Sequence, residues 1–343
     1  MSALTRTELD GVAEAMTGAG EPPAAPLTAT LIAGGRSNLT FRLDDGASRW
    51  VLRTPPRVGR TPSAHDVVRE HRVTRSLHGT QVPVARAVVL HEDDDVLGGP
   101  FAISDFVEGT TVQSRSDLDQ LDDATVEAIT CRLVHTLATL HRLDHVAVGL
   151  ELFGRPDAYA ARQLKRWAGQ WEIVAPDRSD VRRAGDRLAR LLVDRLPRQQ
   201  ATGIVHGDFR IDNTLLRLNA EAPSVAAVVD WELSTIGDPV ADVAVMCTYR
   251  HPALDLILGA PCAWTSDRLP DSDALAAAYE RAGGVRLVDW NQHLALAHFK
   301  LAVIAAGIDH RLRAGATSDP GHASAGQAVE PLLMAAVDVL KGP

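Results

Sequence analysis

Residues 203–232 read GIVHGDFRIDNTLLRLNAEAPSVAAVVDWE, and the architecture of the whole chain can be worked out from them. Two short apolar runs sit in this stretch. Ile204-Val205 leads into His206-Gly207-Asp208, and residues 225–229 lead into Asp230-Trp231-Glu232. Between them lie Asn213 and a β-prone Thr214-Leu215-Leu216. Apolar runs of this length, bounded by turn residues, predict short buried strands. Each strand end then delivers a carboxylate, Asp208 or Asp230, and Asn213 follows the first by five positions. That trio suits phosphoryl transfer. One Asp orients and deprotonates an attacking hydroxyl, while an Asn and a second Asp offer hard oxygen ligands to a Mg²⁺ bridging phosphates. The competing reading is a strand connection with capping Asp side chains and no chemistry, since Asx turns are common at strand ends.

His-Gly-Asp-x-x-x-x-Asn followed by an apolar strand and Asp-Trp-Glu resembles the catalytic segment of the aminoglycoside phosphotransferase and choline kinase superfamily, whose members share the protein-kinase fold. The resemblance implies that Asp208 is the catalytic Asp and that Asn213 and Asp230 hold Mg²⁺. Arg210, two positions after Asp208, falls where protein kinases carry a Lys that contacts the transferred phosphate. The run Gly237-Asp238-Pro239-Val240-Ala241-Asp242-Val243-Ala244 fits a pattern that recurs in the superfamily after the metal Asp. There Asp242 is expected to bond back to the catalytic loop. Asp238 is placed to cap a helix starting at Pro239. The implied architecture is α+β and bilobal, protein-kinase-like. It has a small antiparallel-sheet lobe with one helix and a larger, mainly helical lobe. The expected division is residues 1–26 as an N-terminal helix and linker, 27–106 as the nucleotide-binding lobe, and 107–343 as the catalytic and acceptor-binding lobe.

Upstream, residues 5–17 predict a short amphipathic helix before the Pro/Ala linker EPPAAP at 21–26. Residues 27–32 and 39–43 predict strands around Ala-Gly-Gly-Arg-Ser-Asn at 33–38. In a kinase-like lobe this hairpin covers the nucleotide phosphates, which makes Gly34, Gly35 and Ser37 candidate nucleotide-binding positions. Arg53, on a strand over 50–53, stands where protein kinases place a Lys on the α- and β-phosphates. A guanidinium can hold phosphate oxygens bidentately. Glu70 sits within a helix expected over 63–77 with a Ser or Thr cap, and it matches the kinase Glu that pairs with the strand cation. Further strands over 82–90 and 100–107 make a five-stranded sheet. The segment Ser104-Asp105-Phe106-Val107-Glu108-Gly109 resembles the hinge between lobes, with Asp105 and Val107 at the adenine.

Downstream of Asp122 the periodicity turns helical, with Val126, Ile129, Leu133, Leu137 and Leu140 on one face. His135 and His141 read as packing or surface residues. Helices over 157–171 and 178–196 follow. The pattern Arg162-Gln163…Arg166-Trp167…Gln170-Trp171 resembles the branch of the superfamily found fused to certain acyl-CoA dehydrogenases, a branch associated with phosphorylating hydroxylated acyl-CoA. Arg162, Lys165 and Arg166 could then meet an anionic substrate. The favoured alternative is an amphipathic helix with Trp in the core and solvated cations. Helices over 272–282, 289–310 and 322–340 close the chain. In the resembled family they wall the acceptor site, with Trp264, Trp290, His298 and Lys300 as lining candidates.

Composition excludes several classes. Hydrophobic residues make up 45% and charged residues 23%, which suits a globular chain with large cores. The net charge of −9, without a Lys/Arg block, speaks against nucleic-acid binding. No apolar run reaches membrane-spanning length, and the N-terminus carries no signal-peptide pattern, so a cytoplasmic protein is expected. Three cysteines, Cys131, Cys247 and Cys262, have no metal-ligand spacing and read as buried thiols. The expected co-substrate is ATP or GTP with Mg²⁺, and the expected partner is a small molecule bearing a hydroxyl; a homodimer stays open. A nucleotide-binding module without turnover is one rival. A protein kinase is another, disfavoured because only eight positions separate Asp230 from Asp238, too few for a peptide-docking activation segment.

Overall fold

A computed structural model of the chain describes residues 3–33, 38–56, 66–218, 222–315 and 323–342. Gly34, Gly35 and Ser37 lie outside the described residues. The chain divides into two compact units: Met1–Gly109 with Ala226–Ser234, and Thr110–Val225 with Thr235–Pro343.

The first unit opens with helix α1 (Arg6–Gly18). Thr5 caps it, and Glu8 completes a reciprocal capping box. Leu9, Val12 and Met16 recur at helical spacing and turn inward. Five strands follow: β1 (Thr28–Ala33), β2 (Leu39–Asp44), β3 (Arg49–Thr54), β4 (Ala87–His91) and β5 (Phe101–Asp105). They form one antiparallel sheet in the order β1-β2-β3-β5-β4. Period-two alternation puts Phe41, Leu43, Trp50, Leu52, Phe101 and Ile103 into one core with the apolar face of α1. Helix α2 (Val67–Leu77) crosses between β3 and β4 in sequence. Its cap is Asp66, not the Ser or Thr expected from the sequence, and the Asp66 carboxylate accepts the Arg69 N–H at 2.8 Å. The strand expected from residue 82 starts only at Ala87. Val82 donates its N–H to Thr80 Oγ1 in a turn, and the Pro83 carbonyl accepts from Val228 N at 2.8 Å, so this part of the run serves a loop.

The second unit is mainly helical. It contains α3 (Arg115–Asp119), α4 (Asp123–Arg142), α5 (Tyr159–Val174), α6 (Ser179–Asp194), α7 (Pro239–Thr248), α8 (Ala253–Leu258), α9 (Ser272–Arg281), α10 (Trp290–Arg313) and α11 (Val329–Lys341). Short strands β6 (Gly203–Val205), β7 (Thr214–Arg217) and β9 (Thr235–Gly237) interrupt the helices, while β8 (Ser224–Val228) begins in this unit and ends in the first, to which residues 226–234 belong. Helix α10 is the spine: Leu294, Phe299, Leu301, Ala302, Val303 and Ala306 are buried against α5, α7 and α11. Cys247 and Cys262 are buried as expected, whereas Cys131 is exposed. The inward stripe of α4 runs through Val126, Ile129, Leu133 and Leu137, and position 131 falls on its outer side. Among the described residues, no helix is long and apolar enough to cross a membrane.

Candidate active site

The second unit holds the His-Gly-Asp loop. Strand β6 is fully buried and pairs antiparallel with β9, Ile204 opposite Ile236, which fixes where the chain emerges at His206. Gly207 then turns with φ of +86°, a region open to glycine at little cost. Asp242, in the first turn of α7, holds this turn. Its Oδ2 accepts the His206 N–H at 2.7 Å and its Oδ1 the Gly207 N–H at 2.8 Å. The same Oδ2 accepts from His141 Nε2 at 3.2 Å, and His141 Nδ1 and the Tyr279 hydroxyl share a hydrogen bond of 2.8 Å. Burial pushes the Asp242 carboxyl up, but these hydrogen bonds and the neighbouring imidazoles outweigh it and hold it below its ordinary value. Asp242 is placed there because Asp238 caps α7, accepting from Val240 N at 3.0 Å, with Pro239 at the first helical position.

Asp208 follows the turn. Asn213 ends a single 3₁₀ turn (Ile211–Asn213) and donates Nδ2 both to the Asp208 carbonyl at 2.7 Å and to its Oδ2 at 2.8 Å. The nitrogen end of the amide is therefore engaged by Asp208, which leaves the oxygen end as its ligand atom for a hard cation. Arg210 Nε lies 3.5 Å from Asp208 Oδ1, and its Nη1 is 2.9 Å from Asp212 Oδ2. The Arg210 guanidinium also sits 5.4 Å from the centre of the Tyr249 ring, whose hydroxyl hydrogen-bonds Asp208. Burial raises the Asp208 carboxyl, yet Arg210, the Tyr249 hydroxyl, His206 and Lys300 together bring it below its ordinary value. This is a carboxylate held ionised, able to orient a hydroxyl and take its proton late in a reaction.

The first unit holds the second set. Arg53, on β3, donates Nη1 to Glu70 Oε1 of α2 at 2.6 Å. Its Nη2 lies 3.5 Å from Oδ1 of Asp230, and that oxygen accepts no other hydrogen bond among the described residues. Burial drives the Glu70 carboxyl up to about 7; Arg53 opposes the rise, and Asp230 and Glu232 add to it. The 230–234 segment is tied to α2 by Arg69 Nε, which donates to Ser234 O at 2.8 Å. The buried Trp231 anchors it from within, donating Nε1 to Val228 O at 2.9 Å. Asp230 itself adopts φ of +64°, a left-handed conformation that costs a non-glycine residue on the order of 1 kcal/mol. A buried carboxylate oxygen beside a cation, strained into place, is the kind of donor Mg²⁺ accepts. Among the described residues no three His, Cys, Asp or Glu side chains form a metal cage. Mg²⁺ does not need one, because it commonly takes one or two carboxylates with substrate phosphates and water.

The structure thus brings together Arg53, Glu70 and Asp230 in one unit, and Asp208, Arg210 and Asn213 in the other. Asp105 is gripped at both oxygens by Arg86, at 2.8 and 3.0 Å, and its N–H goes to Arg86 O. Val107 is half-buried beyond the end of β5. Trp167 and Trp171 are buried, Lys165 and Arg166 are exposed, and Arg166 stacks over the Trp167 ring at 5.2 Å. Trp264 and His298 are buried, bonding Met246 O and Leu294 O respectively. Tyr249 and His141 carry contacts that spacing did not signal. His141 lies 101 positions from its Asp242 partner.

Comparison with known proteins follows the same line. A family profile described as "Phosphotransferase enzyme family" matches residues 28–296. Mouse acyl-CoA dehydrogenase family member 10 is 34% identical over 89% of this chain, and human acyl-CoA dehydrogenase family member 11 is 32% identical over 95% of it. The chain spans only 28% and 42% of the lengths of those two relatives. A candidate aminoglycoside phosphotransferase from Ralstonia eutropha superposes with a TM-score of 0.82 at 31% identity, covering 97% of this chain and 98% of that one. An ADP and hygromycin B complex of aminoglycoside phosphotransferase APH(4)-Ia, 18% identical, shares the fold with a TM-score of 0.60 over 90% of this chain and 94% of that one. The α+β, protein-kinase-like architecture expected from the sequence is the one observed, and the chain belongs to the phosphotransferase enzyme family.

Proposed function

We propose that this protein transfers the γ-phosphoryl group of ATP or GTP to a hydroxyl of a small molecule. The observation that carries the reading is the Asp208–Asn213 pair, an ionised carboxylate fixed by an amide whose oxygen end is left for a cation. Asp208 orients the acceptor hydroxyl and takes its proton as the phosphorus–oxygen bond forms. A carboxylate held below its ordinary pKa is a weak base, so its main contribution is orientation. Arg210, anchored by Asp212 and the Tyr249 ring, offsets charge on the transferred phosphoryl group. Arg53 holds phosphate oxygens, and Glu70 fixes its direction. Asn213 and Asp230 would hold Mg²⁺, which when bound neutralises charge between the β- and γ-phosphates. The nucleotide complexes of the structural relatives support a nucleoside triphosphate as donor.

For the acceptor, one observation favours a hydroxylated acyl-CoA over an aminoglycoside: the similarity to acyl-CoA dehydrogenase family members runs over 89–95% of this chain. A screen with Mg-ATP and Mg-GTP over antibiotics, hydroxy acids and hydroxyacyl-CoA esters, read by the product's mass, separates these. Asp208→Ala is expected to abolish transfer while leaving nucleotide-induced thermal stabilisation nearly unchanged. Absence of transfer, of slow nucleotide hydrolysis and of nucleotide stabilisation in the native protein would overturn the reading.

A further inference from the structure

Glycine at 207 permits the turn before Asp208 but does not enforce it. With no Cβ, the backbone at this position is the freest in the loop, so the direction in which Asp208 leaves it depends on what grips the neighbouring peptide groups. The N–H of Gly207 is held by Asp242 from α7. The carbonyl of the same residue accepts from Lys300 Nζ at 3.1 Å, a side chain of α10 placed 93 positions later. This carbonyl belongs to the peptide that joins Gly207 to Asp208. A carboxylate thus holds one side of the residue and an ammonium the other, and both bonds are charge-assisted. Lys300 is half-buried, its ammonium stands 6.0 Å from the centre of the Trp167 ring, and burial lowers its pKa against the pull of Asp208 and Asp242. Burial disfavours the charged form of a lysine unless a local acceptor compensates the lost water, and here the Gly207 carbonyl is that acceptor.

We infer that Lys300 is a positioning residue for the phosphoryl-transfer step: it fixes the peptide plane between Gly207 and Asp208 and so the direction of the Asp208 carboxylate. The inference rests on the role proposed above for Asp208. It assigns the Lys300 side chain to the back of the catalytic loop, where the alternative was a lining residue of the acceptor site. A small cavity of about 30 Å³, lined by Lys300, Gly207, Trp167, Gln163 and His293 among others, lies beside the ammonium. That is room for about one water, and it gives a larger guanidinium space to settle.

The test compares the full chain with Lys300→Met, which keeps the length and removes the donor, and Lys300→Arg, which restores a charged donor. Steady-state loss of the γ-phosphate of Mg-ATP, with water or the best acceptor of the screen, is measured with each over a range of nucleotide concentrations. Lys300→Met is expected to lower the rate constant about 10- to 100-fold at saturating nucleotide, the scale of a lost charge-assisted bond and a misdirected carboxylate, with nucleotide KM within about twofold. Lys300→Arg should recover at least a tenth of the native rate. Backbone hydrogen exchange in the nucleotide-free protein gives an independent readout: Lys300→Met should accelerate exchange of the peptide containing residues 206–209 and leave the rest of α10 protected. A native rate in Lys300→Met, a rise in KM without a fall in rate, or unchanged exchange at 206–209 would overturn the inference. A native protein with no nucleotide turnover, together with the expected exchange change, would instead locate the failure in the proposed function.

Discussion

Replacing Asp242 by Asn tests the support of the catalytic loop by changing one oxygen. The carboxylate is fully buried, with 0% side-chain exposure, and it receives three donors: His206 N and His141 Nε2 on Oδ2, and Gly207 N on Oδ1. An amide can present its oxygen on one side only. If it keeps the two donors on the Oδ2 side, its NH₂ faces the Gly207 N–H, leaving one buried backbone donor unpaired and opposed. Losing one buried partner costs about 1–3 kcal/mol, and losing the charge from two more bonds adds to it, so Asp242→Asn should destabilise the second unit by about 2–4 kcal/mol. The assay is urea unfolding followed by tryptophan fluorescence, to which Trp167, Trp171, Trp264 and Trp290 of this unit contribute. The pH dependence carries a sign. The folded carboxyl lies below its unfolded value, so its stabilisation is present above that value and lost as pH falls through the depressed one. The gap between native protein and variant should therefore be widest near neutrality and close in acid. A loss under 1 kcal/mol at pH 7, or a gap that widens in acid, would refute the reasoning.

Other predictions test separate parts of the molecule. Arg53→Met removes the guanidinium that faces Glu70 and should push the Glu70 carboxyl further above about 7; Mg-ATP affinity, measured by calorimetry, should fall at least about tenfold. Gly185→Ala should destabilise by more than about 2 kcal/mol in thermal melts even though Ala is the better helix former, because its Cβ would overlap the Trp171 ring. Gly169→Ala, where nothing stands within 4 Å, should stabilise by about 0.5–1 kcal/mol in the same melts. His298 is buried and held neutral, with its pKa lowered to about 4, so the stability it contributes is full above its unfolded value of 6.5 and lost as pH falls toward 4. His298→Gln should flatten the stability–pH slope of the second unit within that window, and an unchanged slope in urea titrations at several pH values would count against it.

What local chemistry can encode was legible along the chain. Two strand-to-carboxylate transitions, a five-residue gap to Asn213, a Pro-started helix capped by Asp238 and an amphipathic α1 all follow from period, capping and turn preference, and they are where the motifs placed them. The pairing of Arg53 with Glu70 was legible only through family resemblance, because nothing in a 17-residue separation states it. Burial was less legible. The exposure of Cys131 follows from the periodicity of α4, which residue type alone overrode, and the late start of β4 depends on which carbonyl Val228 takes, which neither period nor residue type carries. Three arrangements come from tertiary packing alone. Residues 226–234 join the N-terminal unit, His141, Tyr279 and Asp242 form one buried chain of hydrogen bonds, and Lys300 reaches the Gly207 carbonyl. Periodicity and capping act over a few residues and leave a signature in the chain. A hydrogen bond across 93 or 138 positions is instead set by how whole helices settle, and the two residues it joins carry no shared pattern.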